Sequence, residues 1–274
     1  MVNTSLFRLG KYSPEWVKDF YSQSEIWWGP DPGEEYYAGR IAAIQRLCGQ
    51  GPKRILELGA GSGAVAARLA EAGHTAVAVE LTPAIRSAQT LSKKGWKGSL
   101  NALEADFYTV QLDGRFEVIC YWDGFGVGSD ADQRRLLRRI AHEWLAPGGK
   151  ALVDVFSPAR FARHAGDEEI LPPLEGVPGS VEMLHRCHFD PLQCRWIDEW
   201  VPTANAEKAL AQTVRCYTPA DLMLLLEGSG LILERIEVDG ESVDLQANVI
   251  TAGGVMLEAY SYLALLSSEQ NVGK

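Results

Sequence analysis

The run Arg54-Ile55-Leu56-Glu57-Leu58-Gly59-Ala60-Gly61-Ser62-Gly63 constrains this chain more than any other: an apolar strand with one carboxylate near its end, three glycines at alternate positions, then a helix. Gly59, Gly61 and Gly63 carry no Cβ, so a ligand can approach the turning main chain closely. Glu57 falls just before the turn, where a parallel strand normally ends in apolar side chains. A pyrophosphate at the helix start would be repelled by it, whereas a cationic ligand suits it. Gly59-x-Gly61-x-x-Ala64 also satisfies the permissive dinucleotide fingerprint, so the glycines alone leave both ligand classes open.

From Lys53 the hydrophobic pattern alternates strictly. It predicts strands over Ile55 to Leu58, Ala76 to Glu80, Ala102 to Ala105, Phe116 to Trp122 and Ala151 to Phe156. Helices are predicted over Ala64 to Ala72, from Thr82-Pro83 to about Lys94, and from about Asp132 to Leu145. That rhythm implies five parallel strands. Upstream, Ser13-Pro14-Glu15 opens one helix and a second runs from about Glu34 to Leu47, with an aromatic segment from Tyr21 to Pro30 read as a flap. After Pro158 two β-like runs, Ser180 to Phe189 and Cys194 to Val201, surround Asp190-Pro191 and predict an antiparallel insertion over 159–214. Thr218-Pro219 restarts a helix, and Leu231 to Val238 and the apolar run Val255 to Leu266 are expected as closing strands.

Further acids and aromatics sit at the ends of these strands. Glu80 ends the second, 17 residues after Gly63; Asp106-Phe107 follows the third; Cys120-Tyr121-Trp122-Asp123 ends the fourth, on the edge where α/β sheets place ligands. With these in order, the first motif resembles that of the class I S-adenosylmethionine-dependent methyltransferases: an acid, then hydrophobic-Gly-x-Gly-x-Gly. The resemblance covers about Lys53 to Ser157 well, and the rest matches small-molecule N- and O-methyltransferases in kind. It implies an α/β fold with a Rossmann-like, seven-stranded, mostly parallel sheet in the order 3-2-1-4-5-7-6 and helices on both faces. Over one domain spanning 1–274, residues 1–50 would form an N-terminal helical cap and 159–214 an inserted antiparallel β lid.

S-adenosyl-L-methionine is then the expected cofactor. Glu57, Gly59, Ala60, Gly61 and Gly63 are its candidate loop; Glu80 and Leu81 would meet the ribose, a placement that fits NAD equally well. Asp106 and Phe107 offer an acceptor and a face for adenine. Tyr121 and Trp122 can hold a sulfonium by cation–π attraction, on the order of 0.5–2 kcal/mol. By resemblance, Trp28, Tyr36 and Tyr37 of the aromatic N-terminal region would close over the methionine end; packing or interface roles account for such residues equally well. Where amide-directed members carry an Asn-Pro-Pro-Tyr type signature, this chain has Tyr121-Trp122-Asp123-Gly124, which disfavours nucleobase amines and glutamine as acceptors.

In-line attack on an activated methyl needs mainly positioning, and a base only if the acceptor arrives protonated. Asp123, His185, His188 and Tyr217 are the unranked candidates. Period-two alternation puts His185 and Cys187 on one strand face and His188 on the other, which argues against a zinc site, and no metal is expected. No Gly-x-Ser-x-Gly nucleophile arrangement appears. The pairs Arg134-Arg135 and Arg138-Arg139 repeat at helical spacing and read as the wet face of an amphipathic helix.

A net charge of -10 argues against a nucleic-acid partner and favours a small-molecule substrate. Five cysteines without a Cys-x-x-Cys pair favour a reducing, cytoplasmic setting, and no 18-residue uncharged run suggests a membrane span. A homodimer stays open. Two other functions also stay open: an NAD-dependent oxidoreductase, and an adenosylmethionine-binding enzyme of non-methylating chemistry such as a cyclase.

Overall fold

The computed structural model describes residues 12–28, 33–91, 95–246 and 249–269, with the side chains of 24–28 and 249–253 outside the description. Two helices lead in, α1 (Pro14–Trp28) and α2 (Glu34–Cys48). The Ser13 main-chain carbonyl accepts the Val17 N–H at 3.0 Å, so α1 starts at the serine-proline signal; the segment read as a flap is helical from Tyr21 to Trp28, and its last two residues lie outside the described residues. Then come β1 (Arg54–Leu58), α3 (Ala64–Glu71), β2 (Thr75–Glu80), a 3₁₀ turn (Pro83–Ile85) into α4 (Arg86–Leu91), β3 (Ser99–Glu104) and β4 (Phe116–Phe125). The chain continues through α5 (Asp130–Arg139), which widens into a π turn (Ile140–Trp144), to β5 (Leu145–Phe156) and α6 (Pro158–Arg163).

An antiparallel run follows: β6 (Glu168–Leu171), β7 (Met183–Asp190), β8 (Arg195–Pro202) and β9 (Leu210–Arg215). Two of its strands were legible; β6 and β9 are additions. The chain closes with α7 (Pro219–Leu226), β10 (Leu231–Val238), β11 (Glu241–Val243), α8 (Val249–Glu258) and β12 (Ser261–Ser268).

The main sheet has the order β11-β10-β12-β5-β4-β1-β2-β3 and the second sheet β6-β7-β8-β9. β3, β2, β1, β4 and β5 are parallel; β12, β10 and β11 join antiparallel. The expected seven-strand order is present, with an eighth strand at one edge. Asp239 (φ 50) and Gly240 (φ 84) form the two-residue turn that folds β11 back on β10, and left-handed φ at both positions is what such a hairpin requires.

The apolar run Val255 to Leu266 is not one strand. Its first four residues end α8, and its inward residues Met256 and Ala259 are three apart, a helical and not a strand spacing. Ser157 fixes the changeover: its hydroxyl donates to the Met256 carbonyl and its N–H to the Tyr260 carbonyl, both at 3.0 Å.

Apolar faces lie on both sides of the main sheet. One packs α2 and α3 through Ile44, Val65 and Leu69; the other packs α5 and α7 through Leu136, Leu137, Leu222 and Leu225. A third cluster, including Phe156, Phe161, Trp196 and Val214, glues the second sheet to the first.

The arginine run of α5 divides between two faces. Arg134 and Arg138 are exposed, but Arg139 is buried beneath the loop after β3, donating to the carbonyls of Phe107 at 2.5 Å and Val110 at 2.6 Å. Its plane also covers Trp144 at 4.5 Å. Arg139→Met leaves two carbonyls unpaired and is expected to lower stability by about 2–4 kcal/mol in urea unfolding. Arg134→Met should change it by less than about 0.5 kcal/mol.

Candidate functional site

At the carboxyl ends of β1, β2 and β4 lies a cavity of about 360 Å³. Glu57, Gly59, Ala60, Gly61, Glu80, Leu81, Phe107, Tyr121, Trp122 and Asp123 line it, with Tyr36 and Tyr37 of α2 and Tyr21 of α1 closing one side. The three loop glycines all adopt positive φ, at 60°, 53° and 74°, but serve different ends. A Cβ on Gly63 would sit 2.5 Å from the Cβ of Ala88, so Gly63 allows α3 to pack on α4 and does not line the cavity. A Cβ on Gly61 would meet nothing within 4 Å: the space beside it is cavity.

Glu57 is 3% exposed, and its Oε2 accepts the Ala66 N–H at 2.9 Å in the first turn of α3. Burial pushes its carboxyl up to about 8, with the Glu80 charge adding to the rise and the Ala66 bond and Arg40 opposing it. Glu80 braces the loop from β2, accepting the Gly61 N–H at 3.0 Å and the Thr82 N–H at 2.7 Å. Burial raises its pKa as well, against those bonds. Trp122, 5% exposed, carries an indole N–H that finds no hydrogen-bond partner among the described residues.

Asp106 stands apart from the cavity. Its Oδ1 accepts the Tyr108 N–H at 2.7 Å and its carboxylate takes the Tyr12 hydroxyl, so it builds the loop that presents Phe107. Trp28 belongs to the end of α1, and its side chain lies outside the described residues.

Asp123 ends the apolar part of β4 with φ 52. The Tyr36 hydroxyl donates to its Oδ2, and Arg40 Nη2 reaches the same oxygen at 3.1 Å. Arg40 also lies 2.6 Å from Asp154 of β5, paired by charge, and stacks over both Tyr36 and Trp122 at 4.7 Å. Burial pushes Asp154 upward against the pull of Arg40, with Asp123 adding to the rise. Sequence reasoning missed Arg40 and Asp154. Their signals were an arginine four residues after Tyr36 and a carboxylate inside the apolar strand Leu152 to Phe156.

Under the second sheet lies a larger cavity of about 760 Å³. Tyr21 and Asp123 belong to the walls of both cavities. The sheet's inner face aligns Glu169, His185 and Trp200 across β6, β7 and β8, and His185 stacks on Trp200 at 4.4 Å. His185 Nε2 lies 2.5 Å from Oδ1 of the buried Asp198, whose Oδ2 accepts Trp200 Nε1 at 2.9 Å and Gln212 Nε2 at 2.8 Å. Gln212 in turn accepts the Tyr21 hydroxyl at 2.8 Å. Asp198 is thus filled with donors, so the His185 nitrogen facing it carries the proton and Nδ1 is the acceptor.

The remaining candidate bases line neither cavity. His188 points to the other sheet face, where Nε2 lies 3.2 Å from Glu199. Tyr217 is 1% exposed and its hydroxyl donates to Asp130 at 2.8 Å. Among the described residues no group of three or more His, Cys, Asp or Glu is placed to hold a metal.

A family model described as a methyltransferase domain matches residues 34–233. A cypemycin N-terminal methyltransferase of a Streptomyces species is 34% identical over 132 residues, covering 47% of this chain and 53% of that protein. The chain thus spans about half the length of that curated relative. Among solved structures, the CcbJ methyltransferase of Streptomyces caelestis has a TM-score of 0.65 at 20% identity, covering 94% of this chain and 98% of its own. A 1,6-didemethyltoxoflavin N1-methyltransferase of Burkholderia thailandensis, solved with its substrate and S-adenosylhomocysteine, has a TM-score of 0.57 at 17% identity, covering 94% and 91%. Those two share the fold. The acid-glycine loop, the sheet order and a match over most of its length together show that this chain belongs to the methyltransferase-domain family, whose members use S-adenosylmethionine.

Proposed function

We propose that this protein transfers the methyl group of S-adenosylmethionine to a nitrogen or oxygen of a small molecule held in the larger cavity. The observation that carries the reading is that two cavities share Tyr21 and Asp123, one built on the glycine loop and the other roofed by the second sheet. A two-substrate transfer needs such a meeting point, because most of its acceleration comes from bringing donor and acceptor together in line.

The smaller cavity suits this donor and disfavours a dinucleotide. Glu57 already occupies an N–H of the first turn of α3, the place where a pyrophosphate would bind. Glu57 and Glu80 favour a positively charged ligand, the space beside Gly61 admits a nucleoside, and the unpartnered Trp122 N–H offers a donor to a carboxylate. S-adenosylmethionine supplies a methyl carbon already activated by its sulfonium. Within this chain, Tyr36 and Arg40 hold Asp123 in place at the junction, and the second sheet, as a lid, keeps water from the acceptor.

The net charge of -10 supports a small molecule over nucleic acid as the acceptor's class. All five cysteines are free, which supports a reducing, cytoplasmic setting. No helix among the described residues is long and apolar enough to cross a membrane.

S-adenosylmethionine and S-adenosylhomocysteine should each raise the melting temperature, by the equivalent of roughly 2.7 kcal/mol at 100 times the dissociation constant, while NAD and NADP leave it unchanged. A shift with NAD or NADP alone would overturn the assignment. Gly61→Val fills the open space from a backbone with φ 53 and should abolish the adenosyl shift in a protein that remains folded by circular dichroism.

Glu57 also predicts a pH effect. The folded protein keeps its proton up to about pH 8, the unfolded chain only to about 4.5, so folding takes up a proton between those values. Its contribution to stability is full below pH 4.5 and declines as pH rises through 8, by at most about 1.4 kcal/mol per pH unit. Glu57→Gln should match the parent near pH 4.5, exceed it in urea unfolding at pH 8–9, and bind S-adenosylmethionine more weakly.

A further inference from the structure

We propose that the methyl acceptor is an amine that enters the larger cavity as an organic ammonium ion. This rests on the methyltransferase reading and adds the charge and chemical class of the acceptor.

Charge carries the first part. Five carboxylates line this cavity, Asp123, Asp167, Glu168, Glu169 and Asp198, against one guanidinium, that of Arg160. Most are already answered: Asp123 pairs with Arg40 at 3.1 Å and accepts the Tyr36 hydroxyl, Asp167 pairs with His164 at 2.7 Å, Glu168 with Arg186 at 2.7 Å, and Asp198 takes its donors from His185, Trp200 and Gln212. Glu169 stands in cross-strand register with His185 on β7 and has no ion pair among the described residues. With Arg160 the one guanidinium in the lining, the surplus is negative and disfavours an anionic acceptor.

Shape carries the second part. The walls between those carboxylates are aromatic faces, among them Trp196, Trp200 and Tyr260, and Trp196 stacks on Phe161 at 4.4 Å. Aromatic faces interleaved with acids are the surroundings that hold an organic cation, by cation–π attraction to its charge and by apolar contact with its body. A volume of about 760 Å³ accommodates a drug-sized molecule. The cavity reaches the methyl-donor side at Asp123, whose carboxylate can accept an ammonium N–H there.

An ammonium nitrogen has no free lone pair, so one proton must leave before the nitrogen can attack. His185 lines the cavity, and with Nε2 turned to Asp198 its Nδ1 is the nitrogen left to accept it. The proton moves from the ammonium nitrogen to His185 Nδ1, the N–H electron pair stays on nitrogen, and the products are a neutral amine and an imidazolium facing Asp198.

Calorimetry on the full chain saturated with S-adenosylhomocysteine tests the charge class directly. Phenethylamine, a cation at neutral pH, is compared with the neutral 2-phenylethanol and the anionic phenylacetate, all of nearly one shape. Phenethylamine should bind at least tenfold more tightly than 2-phenylethanol, and phenylacetate should not bind. Glu169→Gln, an exposed change that leaves the fold intact, should narrow the preference several-fold, and His185→Gln should keep phenethylamine binding. Equal or tighter binding of the alcohol or the acid, or no binding of phenethylamine up to millimolar concentration while S-adenosylhomocysteine binds, overturns the amine assignment. Failure of S-adenosylhomocysteine itself to bind would remove the methyltransferase reading beneath it.

Discussion

A carboxyl group buried against the first turn of a helix organises this molecule. Glu57 is buried in the middle of a mostly apolar sheet, and the Ala66 N–H is its hydrogen-bonding compensation. That contact fixes how α3 leaves β1, and the glycine loop must cross the gap in the few residues between. Glu80 then bonds the same loop from the neighbouring strand, so two acids of raised pKa hold one turn. Such an arrangement gives away stability near neutral pH, and groups of this kind concentrate where a protein binds or reacts.

The parallel half of the sheet was legible because β1, β2 and the core of β4 are short apolar runs, whereas β3 begins three residues before the expected Ala102 and β5 reaches back through Pro147-Gly148-Gly149 to Leu145. β10 was readable to the residue, Leu231–Val238. The failures have a common physical source. Val255 to Leu266 is mostly apolar, broken only by Glu258 and Ser261, so periodicity did not separate the end of α8 from β12, where Ser157 holds the changeover. β6 and β9 are short, and β6 is polar and exposed, stabilised by pairing to β7 with no pattern of its own. Arg139 shows the limit of helical-wheel reasoning, since a guanidinium looks solvated until a loop of carbonyls is brought over it.

The site divides the same way. Residues next to each other in sequence at strand ends, such as Glu57 with its glycines and Trp122 with Asp123, announced themselves because topology sends every parallel strand end to one edge. Residues recruited from a distance did not. Arg40, Asp154 and Tyr21 come from α2, β5 and α1, and the local signals of Arg40 and Asp154 do not say that the fold brings them to Asp123. Asp106 was in the right loop with the wrong task, being turned toward Tyr12 and the Tyr108 N–H. The choice among bases was likewise unreadable: His185 and His188 are three residues apart, and the sheet gives them to opposite sides.

Tyr21 and Asp123 belong to two walls at once. A side chain in that position cannot be ordered by one occupant without being ordered for the other. With donor and acceptor in the two cavities as proposed, whatever freedom the first removes from these two residues the second no longer has to remove, and that sharing favours the binding of both together. Thermodynamic linkage makes that factor identical in both directions. Departure follows the same rule: an occupant that lets go of Tyr21 loosens its neighbour, and the pair of products is held less well singly than together.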